Sequence, residues 1–505
     1  MTMQWDRRHW CGASLGLAAA ALAPGLAGAQ QRQDPQEKSA EKGAEKGSEK
    51  GQDKRRGGAE RGEGRGSTRF GTAERPFSAQ SPWNCRPIDP VLDSWSIPKD
   101  AYFPAIESGK YSVGVFLCSP DDQPQRVLGP VNQKGVWDPD AEAMVPEVLI
   151  PRWPASVLPA SGSDGHADLV DPQAGIIHSF FQLKKVGDDW RAQQYAWTRL
   201  DGRGWGDPAH YFQGARAAGV PTMGGLIRSH EIEDGEPLYR HALAMSLTFS
   251  GLSPSPGYIF PATSADRGFE QNKGQIPEGA LLMLPPDFEI RSLGDLSMRK
   301  IGETLKRYGG YVVDRNHGTP FCIYAEIGAR FPIVLKNGWN SQVGNDLERL
   351  RGALRQVKSA KGWLDGNDRP VDLDAPMNVL SMRGDWRAVK GTARARYDTW
   401  RQAVVFEDAR EAVLAVEGNR QLSGVTWARP QAGQACRLTA RCTGDARLRV
   451  ELKDRGGRTL ADSGELDNGK SAKFDWPDGV ASVRTSVKAS GSGSASADLR
   501  VVAGA

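Results

Sequence analysis

The chain has 505 residues, of which 65 are Lys or Arg and 61 are Asp or Glu, and its formal net charge is +4. Because the two signs nearly balance and the basic residues do not cluster beyond the N-terminal region, the composition argues against a nucleic-acid-binding protein. After an N-terminal leader, no apolar run approaches the roughly 20 residues of a membrane span.

The N-terminus has the three parts of a secretory signal. Arg7 and Arg8 supply positive charge, residues 13–26 form a short apolar stretch, and Ala27-Gly28-Ala29 supplies the small residues of a cleavage site. We therefore expect residues 1–29 to be a signal peptide and the mature chain to be periplasmic or secreted, without a membrane span. The alternative is a buried N-terminal helix.

The paired arginines resemble a twin-arginine signal. Asp6 stands where such a signal usually has a hydroxyl residue, so both the twin-arginine route and the general route stay open. Residues 30–76 follow as a low-complexity segment in which Glu-Lys-Gly repeats every four residues. Alternating charges with frequent glycine cannot bury a core, so the sequence predicts a disordered charged spacer.

The remaining chain of about 430 residues is long enough for two or three domains. Residues 77–385 contain many short apolar runs bounded by Gly and Pro, which predict strands. Helical spacing predicts helices over 296–308 and 346–357. This pattern favours a mainly β, jelly-roll or sandwich-like main domain with a few rim helices. Alternation from Gln434 onward predicts a smaller C-terminal β-sandwich within 386–505.

The mature chain keeps five cysteines, and export would place them in an oxidising compartment where pairing is expected. Cys436 and Cys442 could staple a loop, and Cys85 could pair with Cys118. Cys322, in an apolar run, is interpreted as a buried small hydrophobe. The sequence has no CxxC pair that would indicate a zinc site, and we predict neither a metal nor a cofactor.

The first candidate site is a predicted hairpin. His166 and Asp168 would share one face of its first strand, because side chains alternate along a strand. The second strand carries His178, and the hairpin could bring the two histidines together, in the geometry that a general base or a metal pair would use. The alternative is an ordinary hairpin with a solvated polar face.

Further candidates lie downstream. His241 precedes an apolar run and could point into a groove, or it could be a satisfied structural histidine. Trp197, Trp205 and Tyr211 belong to a dense group of aromatics that suits sugar stacking, with Arg228 as a further substrate-binding candidate; the alternative for the aromatics is sandwich core.

A weaker acid–base candidate is the turn that begins at Asp314, followed by Tyr324 and Glu326 on the next strand. The chain has no nucleotide-binding loop, no Gly-x-Ser-x-Gly elbow and no His-Glu-x-x-His. These absences weigh against kinases, serine esterases of the common fold and zincin proteases.

An ordered series of short motifs spans about residues 81–330. It comprises Ser81-Pro82-Trp83-Asn84, Asp164-Gly165-His166, Val170-Asp171-Pro172, Ala218-Gly219-Val220-Pro221, Gly225-Leu226-Ile227-Arg228, Glu231-Ile232, His241-Ala242-Leu243, Tyr258, Pro261-Ala262, Pro277-Glu278-Gly279-Ala280 and Tyr308-Gly309-Gly310-Tyr311-Val312-Val313-Asp314. In this series the chain resembles a widespread family of secreted bacterial β-sandwich proteins, common in soil actinobacteria.

The resemblance implies architecture more than activity, and it favours His166 and His241 as functional positions. The chain departs from the family at His178-Ser179-Phe180, where the family usually has an acid after an aromatic. That departure argues against transferring a carboxylate role to this strand.

These features together predict an exported polysaccharide-active enzyme that cleaves glycans by acid–base chemistry, with a lyase favoured over a hydrolase. The alternatives are a non-catalytic glycan- or envelope-binding protein and a structural surface protein. Convergence of His166, His178 and His241 in one groove would favour the enzyme, and scatter would favour the binding protein.

Overall fold

The computed structural model describes residues 69–139, 143–207, 210, 212–331, 334–335 and 338–373, four short strands between 384 and 416, and residues 432–488 and 495–501. The predicted signal peptide and most of the predicted spacer lie outside these residues. Residues 69–76, at the end of the predicted spacer, form bends in which the Ala73 carbonyl accepts a hydrogen bond from Arg228.

Within the described residues, twenty-two strands and two α-helices precede residue 374. The strands are β1 (Arg86–Ile88), β2 (Val91–Leu92), β3 (Ala105–Glu107), β4 (Gly114–Leu117), β5 (Gln125–Leu128), β6 (Val136–Asp138), β7 (Ala143–Val145), β8 (Glu147–Ile150), β9 (Ala167–Asp171), β10 (Ile176–Phe181), β11 (Lys184–Val186), β12 (Asp189–Arg191), β13 (Gln194–Arg199), β14 (Leu243–Thr248), β15 (Leu281–Met283), β16 (Gly310–Asn316), β17 (Phe321–Tyr324), β18 (Val334–Leu335), β19 (Gly338–Trp339), β20 (Arg355–Ser359), β21 (Gly362–Leu364) and β22 (Pro370–Val371). The helices are α1 (Leu296–Arg307) and α2 (Ser341–Ala353).

Three sheets and the two helices form successive layers. The first sheet has six strands in the order β4-β9-β10-β13-β6-β7, and the second has seven in the order β2-β20-β15-β16-β14-β17-β3. One hydrophobic core joins the facing sides of these sheets and includes Val170, Ile177 and Val313. A second core packs the helices on the outer side of the second sheet, and a third packs a four-stranded sheet, β11-β12-β5-β8, on the outer side of the first.

Both helices begin at a capping side chain. Asp295 accepts hydrogen bonds from the first turn of α1, and Asn340 does so for α2. Helix α1 ends before Gly309, whose φ of +76° is a left-handed conformation that suits glycine. The prediction of α1 is confirmed nearly to the residue, whereas α2 begins five residues earlier than predicted. Its amphipathic pattern starts with Val343, ahead of the predicted boundary.

The C-terminal strands are β23 (Gly384–Ala388), β24 (Arg394–Tyr397), β25 (Val405–Phe406), β26 (Val413–Val416), β27 (Ala435–Cys442), β28 (Arg447–Lys453), β29 (Thr459–Asp462), β30 (Ser471–Asp475), β31 (Ser482–Lys488) and β32 (Ala495–Val501). They form a six-stranded sheet, β24-β23-β26-β31-β28-β29, and a four-stranded sheet, β25-β32-β27-β30. The prediction of a mainly β, sandwich-like fold is confirmed. None of the helices among the described residues is long and apolar enough to cross a membrane.

The predicted disulfides are wrong. Cys436 and Cys442 lie on the same buried face of β27, and both are free thiols. Six residues of extended strand span about 20 Å, far beyond the reach of a disulfide. Cys85 and Cys118 are also free and buried, and Cys118 belongs to the core beneath the first sheet. Cys322 is buried, as predicted.

Candidate functional site

The register of the first sheet separates two histidines that the sequence predicted to meet. Strand β10 pairs with β9 so that His178 lies opposite Leu169 and Ser179 opposite Asp168. Directly paired residues point to the same face of a sheet and neighbours along a strand to opposite faces. Asp168 and His178 therefore lie on opposite faces, and the predicted convergence of His166 with His178 is wrong.

His178 is buried on the outer face of the first sheet. Its Nδ1 is hydrogen-bonded to the Tyr195 hydroxyl at 2.8 Å, and its Nε2 is buried without a partner. Burial lowers the pKa of His178 to about 4, so the ring is neutral near pH 7. Access to this face is limited, because Phe180 belongs to the core that joins the first sheet to the four-stranded sheet.

Asp168 is fully buried on the inner face. Its carboxyl accepts hydrogen bonds from the Thr222 hydroxyl at 2.6 Å and from the Met223 N–H at 2.7 Å. Burial raises its pKa. Since its oxygens are occupied by neighbouring protein groups, this carboxyl ties the 222–223 loop to β9.

A β-bulge in the second sheet places a carboxylate opposite the inner face of the first. Met245 on β14 pairs with Val312, but Ser246 pairs with Asp314, so Val313 is the extra residue. Without this bulge, alternation would direct Asp314 toward the helices. With it, both Val313 and Asp314 point toward the first sheet, the re-aiming that bulges commonly produce.

Asp314 is the centre of a group that we call the acidic cluster. Its members are His166, Arg216 and Tyr324, the second arginine Arg315, and four carboxyl groups, those of Asp164, Asp266, Glu278 and Asp314. They come from loops and from two strands of the second sheet. Asp164 and Asp314 are partly exposed, so the cluster reaches solvent on their side.

Arg216 lies at the base of this cluster with none of its side chain exposed. Its Nη1 donates to the Asp314 carboxylate at 3.0 Å, and its guanidinium carbon lies 3.8 Å from the centre of the Tyr324 ring. Its Nε and Nη2 have no hydrogen-bond partner. A permanently charged group with unused donors makes this region attractive to an anion or to an oxygen that gains negative charge.

Burial is the main reason that the pKa values of three carboxyls in the cluster are raised. The Asp266 carboxyl is hydrogen-bonded to that of Asp314, and burial together with Asp266 raises the pKa of Asp314 to about 7. Burial and the neighbouring Asp266 raise the pKa of Glu278 well above its usual range. Glu278 accepts the Asp266 N–H at 3.0 Å, and its other oxygen has no partner. Proton-sharing carboxyls of this kind are frequent in active sites.

His166 and Tyr324 contribute an imidazole and a phenol to this cluster. Nδ1–H of His166 donates to the Phe180 carbonyl at 3.3 Å, which leaves the Nε2 lone pair available. Burial and the nearby Arg216 lower the pKa of His166, so the ring is neutral. Burial and Asp314 raise the pKa of Tyr324 well above its usual value, so its hydroxyl keeps its proton.

His241 belongs to a different place in the fold. Its Nδ1–H donates to the Ala242 carbonyl at 2.9 Å, and its Nε2 lies 3.3 Å from the Glu231 carboxylate. Burial alone would lower its pKa, but Glu231 outweighs this and raises it. Arg228 is likewise paired, with Glu326 at 3.3 Å. The three predicted histidines are therefore scattered.

The predicted sugar-stacking residues also diverge. Trp205 has no exposed surface, and its ring centre lies 5.2 Å from that of Trp83 in a stacked arrangement. It is therefore a core residue, and the prediction that it stacks on a sugar is wrong. Trp197 is partly exposed and lies 4.2 Å from the His210 ring. Tyr211 lies outside the described residues. No three His, Cys, Asp or Glu side chains among the described residues are grouped as in a metal site.

No family model and no curated protein matches the chain. Three solved structures are similar over short stretches. A glycosylation-associated protein complex from Streptococcus agalactiae is 18% identical over 14% of this chain and 25% of that chain, with a TM-score of 0.13. Accessory secretory proteins 1, 2 and 3 from Streptococcus pneumoniae are 13% identical over 19% of this chain and 74% of that chain, with a TM-score of 0.14. A mitogen from Yersinia pseudotuberculosis is 14% identical over 20% of this chain and 84% of that chain, with a TM-score of 0.14. Similarity at this level supports no functional argument.

Proposed function

We propose that this chain is an exported enzyme that cleaves an acidic polysaccharide by β-elimination at the acidic cluster. The observation that carries the proposal is the gathering of a neutral His166, a protonated Tyr324 and a charged Arg216 around Asp314. A base, an acid and an anion-stabilising group are the three parts that this reaction requires.

In this reaction His166 takes the proton from the carbon next to the substrate carboxylate. The electron pair forms a carbon–carbon double bond as the glycosidic carbon–oxygen bond breaks, and Tyr324 protonates the departing oxygen. Arg216 and the protonated carboxyl of the Asp266–Asp314 pair stabilise the negative charge that develops on the substrate carboxylate. Each proton lost by one group is thus matched by a proton gained by another.

The carboxyl pair argues against a glycoside hydrolase. Hydrolases need two carboxyls about 5–5.5 Å apart for a retaining mechanism, or about 6.5–9.5 Å apart for an inverting one. Asp266 and Asp314 are hydrogen-bonded to each other, so they share a proton and leave no room for a sugar or a water between them.

The test is incubation of the purified protein with a panel of neutral and uronate-containing polysaccharides, recording both reducing ends and the ultraviolet absorbance of unsaturated products. We expect unsaturated products from a uronate polymer. Substitutions His166→Gln and Tyr324→Phe should each lower kcat by about 10²–10⁴-fold, the usual contribution of a general base or acid.

Two buried residues outside the cluster provide matched controls. His178→Gln changes another buried neutral histidine, and Tyr239→Phe removes a buried hydroxyl that has no hydrogen-bond partner. Both should leave kcat within about threefold of the wild type at pH 7. Absence of unsaturated products from every uronate polymer would refute the lyase.

A non-catalytic glycan-binding protein is the second candidate. It is favoured by the scatter of His166, His178 and His241, since one argument for an enzyme was their convergence. Retention of a polysaccharide without release of any product from it would select this function.

A further inference from the structure

The two outer faces of the C-terminal sheets carry their charges in different ways. On the six-stranded sheet, each described cation has an acidic neighbour: Arg449 Nε lies 2.8 Å from Asp462, and Lys453 lies 3.3 Å from Glu451. Arg447 and Lys488 similarly contact Asp467 and Glu465. Arg447 lies directly opposite Lys488, but each of these two cations also contacts an acidic side chain, so its charge is balanced.

The four-stranded sheet differs, because two of its described cations have no such acidic contact. On this sheet Arg437 of β27 lies directly opposite Lys473 of β30, and both are exposed. On its other side, Arg437 lies opposite the register position of Arg500 on β32. Three basic positions therefore form a row across adjacent strands, about 4.8 Å apart. Neither Arg437 nor Lys473 forms an ion pair with a residue whose side chain the structure describes.

Like charges placed directly opposite each other destabilise a sheet. The neighbouring positions reduce the positive charge of the row only in part. Asp475 and Asp498 occupy the positions opposite Ala435 and Thr439, but Arg441 is a further exposed cation on the same face. Four basic positions thus share this face with two acidic ones. We call the exposed side of β27 and β30, with the facing positions of β32, the basic face.

We propose that the basic face binds an anionic polysaccharide and holds it on the enzyme. The charge row supplies attraction, and Thr439 and Ser471, whose hydroxyls are 3.1 Å apart beside it, can hydrogen-bond sugar hydroxyls. This identity rests on the proposed function, since the same acidic polymer would be bound here and cleaved at the acidic cluster.

A nucleic acid fits this face less well. The exposed positions of β27 and β30 include no aromatic side chain on which a base could stack. Duplex DNA carries one charge about every 1.7 Å, and the two acidic positions would oppose so dense a chain. A polymer with one carboxylate per sugar unit has wider charge spacing and can pass between them.

The test measures binding of the full chain to polygalacturonate, neutral dextran and duplex DNA in a titration at low and moderate salt. The double variant Arg437→Gln/Lys473→Gln removes the two cations of the row. The matched control, Arg458→Gln/Lys488→Gln, removes two exposed and paired cations outside the four-stranded sheet, one between β28 and β29 and one on β31. Thermal unfolding of each variant confirms that it folds.

We expect polygalacturonate binding to weaken at least tenfold in the row variant and less than twofold in the control, with a shallower salt dependence in the row variant. Dextran should not bind. The inference is overturned if the wild type does not bind polygalacturonate, if both variants weaken equally, or if DNA binds more tightly than polygalacturonate and loses that binding in the row variant.

The cleavage assay separates this inference from the proposed function. Binding that depends on the row, together with no unsaturated product from the wild type, would leave the basic face standing and remove the lyase. Cleavage by the wild type, together with binding that is equal in the wild type and the row variant, would support the lyase and remove the basic face.

Discussion

Two buried groups of ionisable side chains in this molecule contain a histidine beside carboxylates, yet their charge balance differs. The His241–Glu231 pair has one cation for one anion, and both histidine nitrogens have hydrogen-bond partners. The acidic cluster has four carboxyls against two arginines, and it leaves nitrogens of Arg216 and an oxygen of Glu278 without partners. The pair satisfies itself, whereas the cluster stays incomplete without protons or a ligand.

The directions of the pKa shifts express the same difference. In the pair, burial opposes both charges, but the mutual attraction raises the pKa of His241 and lowers that of Glu231. In the cluster, burial dominates: it raises the pKa values of Asp266, Glu278 and Asp314 and lowers that of His166. Removing one partner of a matched buried pair is costly because the other charge is left uncompensated, whereas unmatched buried charge is common at functional sites.

The largest expected effect is on catalysis at the cluster. Asp314→Asn keeps an oxygen that can accept from Arg216 but removes the shared proton of the carboxyl pair. We expect kcat on a uronate polymer to fall by about 10²–10⁴-fold, and Tm to fall as well because the buried Arg216 loses its anionic partner, with the loss of activity exceeding the loss of folded protein. Steady-state kinetics and thermal unfolding measure the two quantities. A large loss of Tm with proportionate loss of activity would mean that the cluster is structural.

The pair should respond in the opposite manner. His241→Gln leaves the Glu231 carboxylate without its cation, and we expect a loss of about 3 kcal/mol in the free energy of unfolding at pH 6. This is the lower end of the usual range, because both side chains keep 16% of their surface exposed. The specific activity of the folded variant should be retained.

The contribution of His241 to the free energy of unfolding should depend on pH. Because the pKa of His241 is raised on folding, its contribution is complete below about pH 6.5 and is lost as the pH rises through the folded pKa. Urea unfolding at pH 6 and pH 9 should therefore show a smaller difference between wild type and variant at the higher pH. Equal differences at both would contradict the ion pair.

His178 extends the comparison with a histidine that no charged side chain contacts directly. Its pKa falls to about 4 on folding, so the unfolded chain takes up the proton first as the pH drops. The free energy of unfolding should fall by about 3 kcal/mol between pH 6.5 and pH 4. His178→Gln should lack this component, and urea unfolding across that interval measures it. A variant with the wild-type slope would show that His178 titrates normally.

The sequence predicted the secondary structure better than the site. Strands such as β10 and β14 and helix α1 follow from local patterns, and the cores on the two sides of the second sheet bury their apolar residues. The faces of β9 and β10 depend on register, which their sequences leave open to several alignments. This is why His166 and His178 were grouped incorrectly.

The acidic cluster combines residues separated by up to 160 positions along the chain. Asp314 and Tyr324 were weak candidates because the sequence placed them at strand ends. The predicted turn at Asp314 is wrong, because β16 continues to Asn316, and the bulge that turns Asp314 inward has no clear sequence signal. Arg216, Asp266 and Glu278 were missed. One usable signal was a single charge among small or apolar neighbours, as in Gly214-Ala215-Arg216-Ala217-Ala218. Such a charge has few local partners and must find a distant one.

The smallest expected effect contrasts the same substitution in the two groups. Glu278→Gln replaces a carboxyl that already carries its proton with an amide of nearly the same shape, and its oxygen can still accept the Asp266 N–H. A raised folded pKa means that Glu278 lowers stability as the pH rises above about 4.5, and glutamine removes that slope. The variant should therefore be at least as stable as the wild type at pH 7. Glu231→Gln, which discharges the anion of the pair, should instead destabilise by about 3 kcal/mol. Urea unfolding of both variants at pH 7 makes the comparison, and similar losses from the two would show that the carboxyl of Glu278 is ionised and paired in the folded protein.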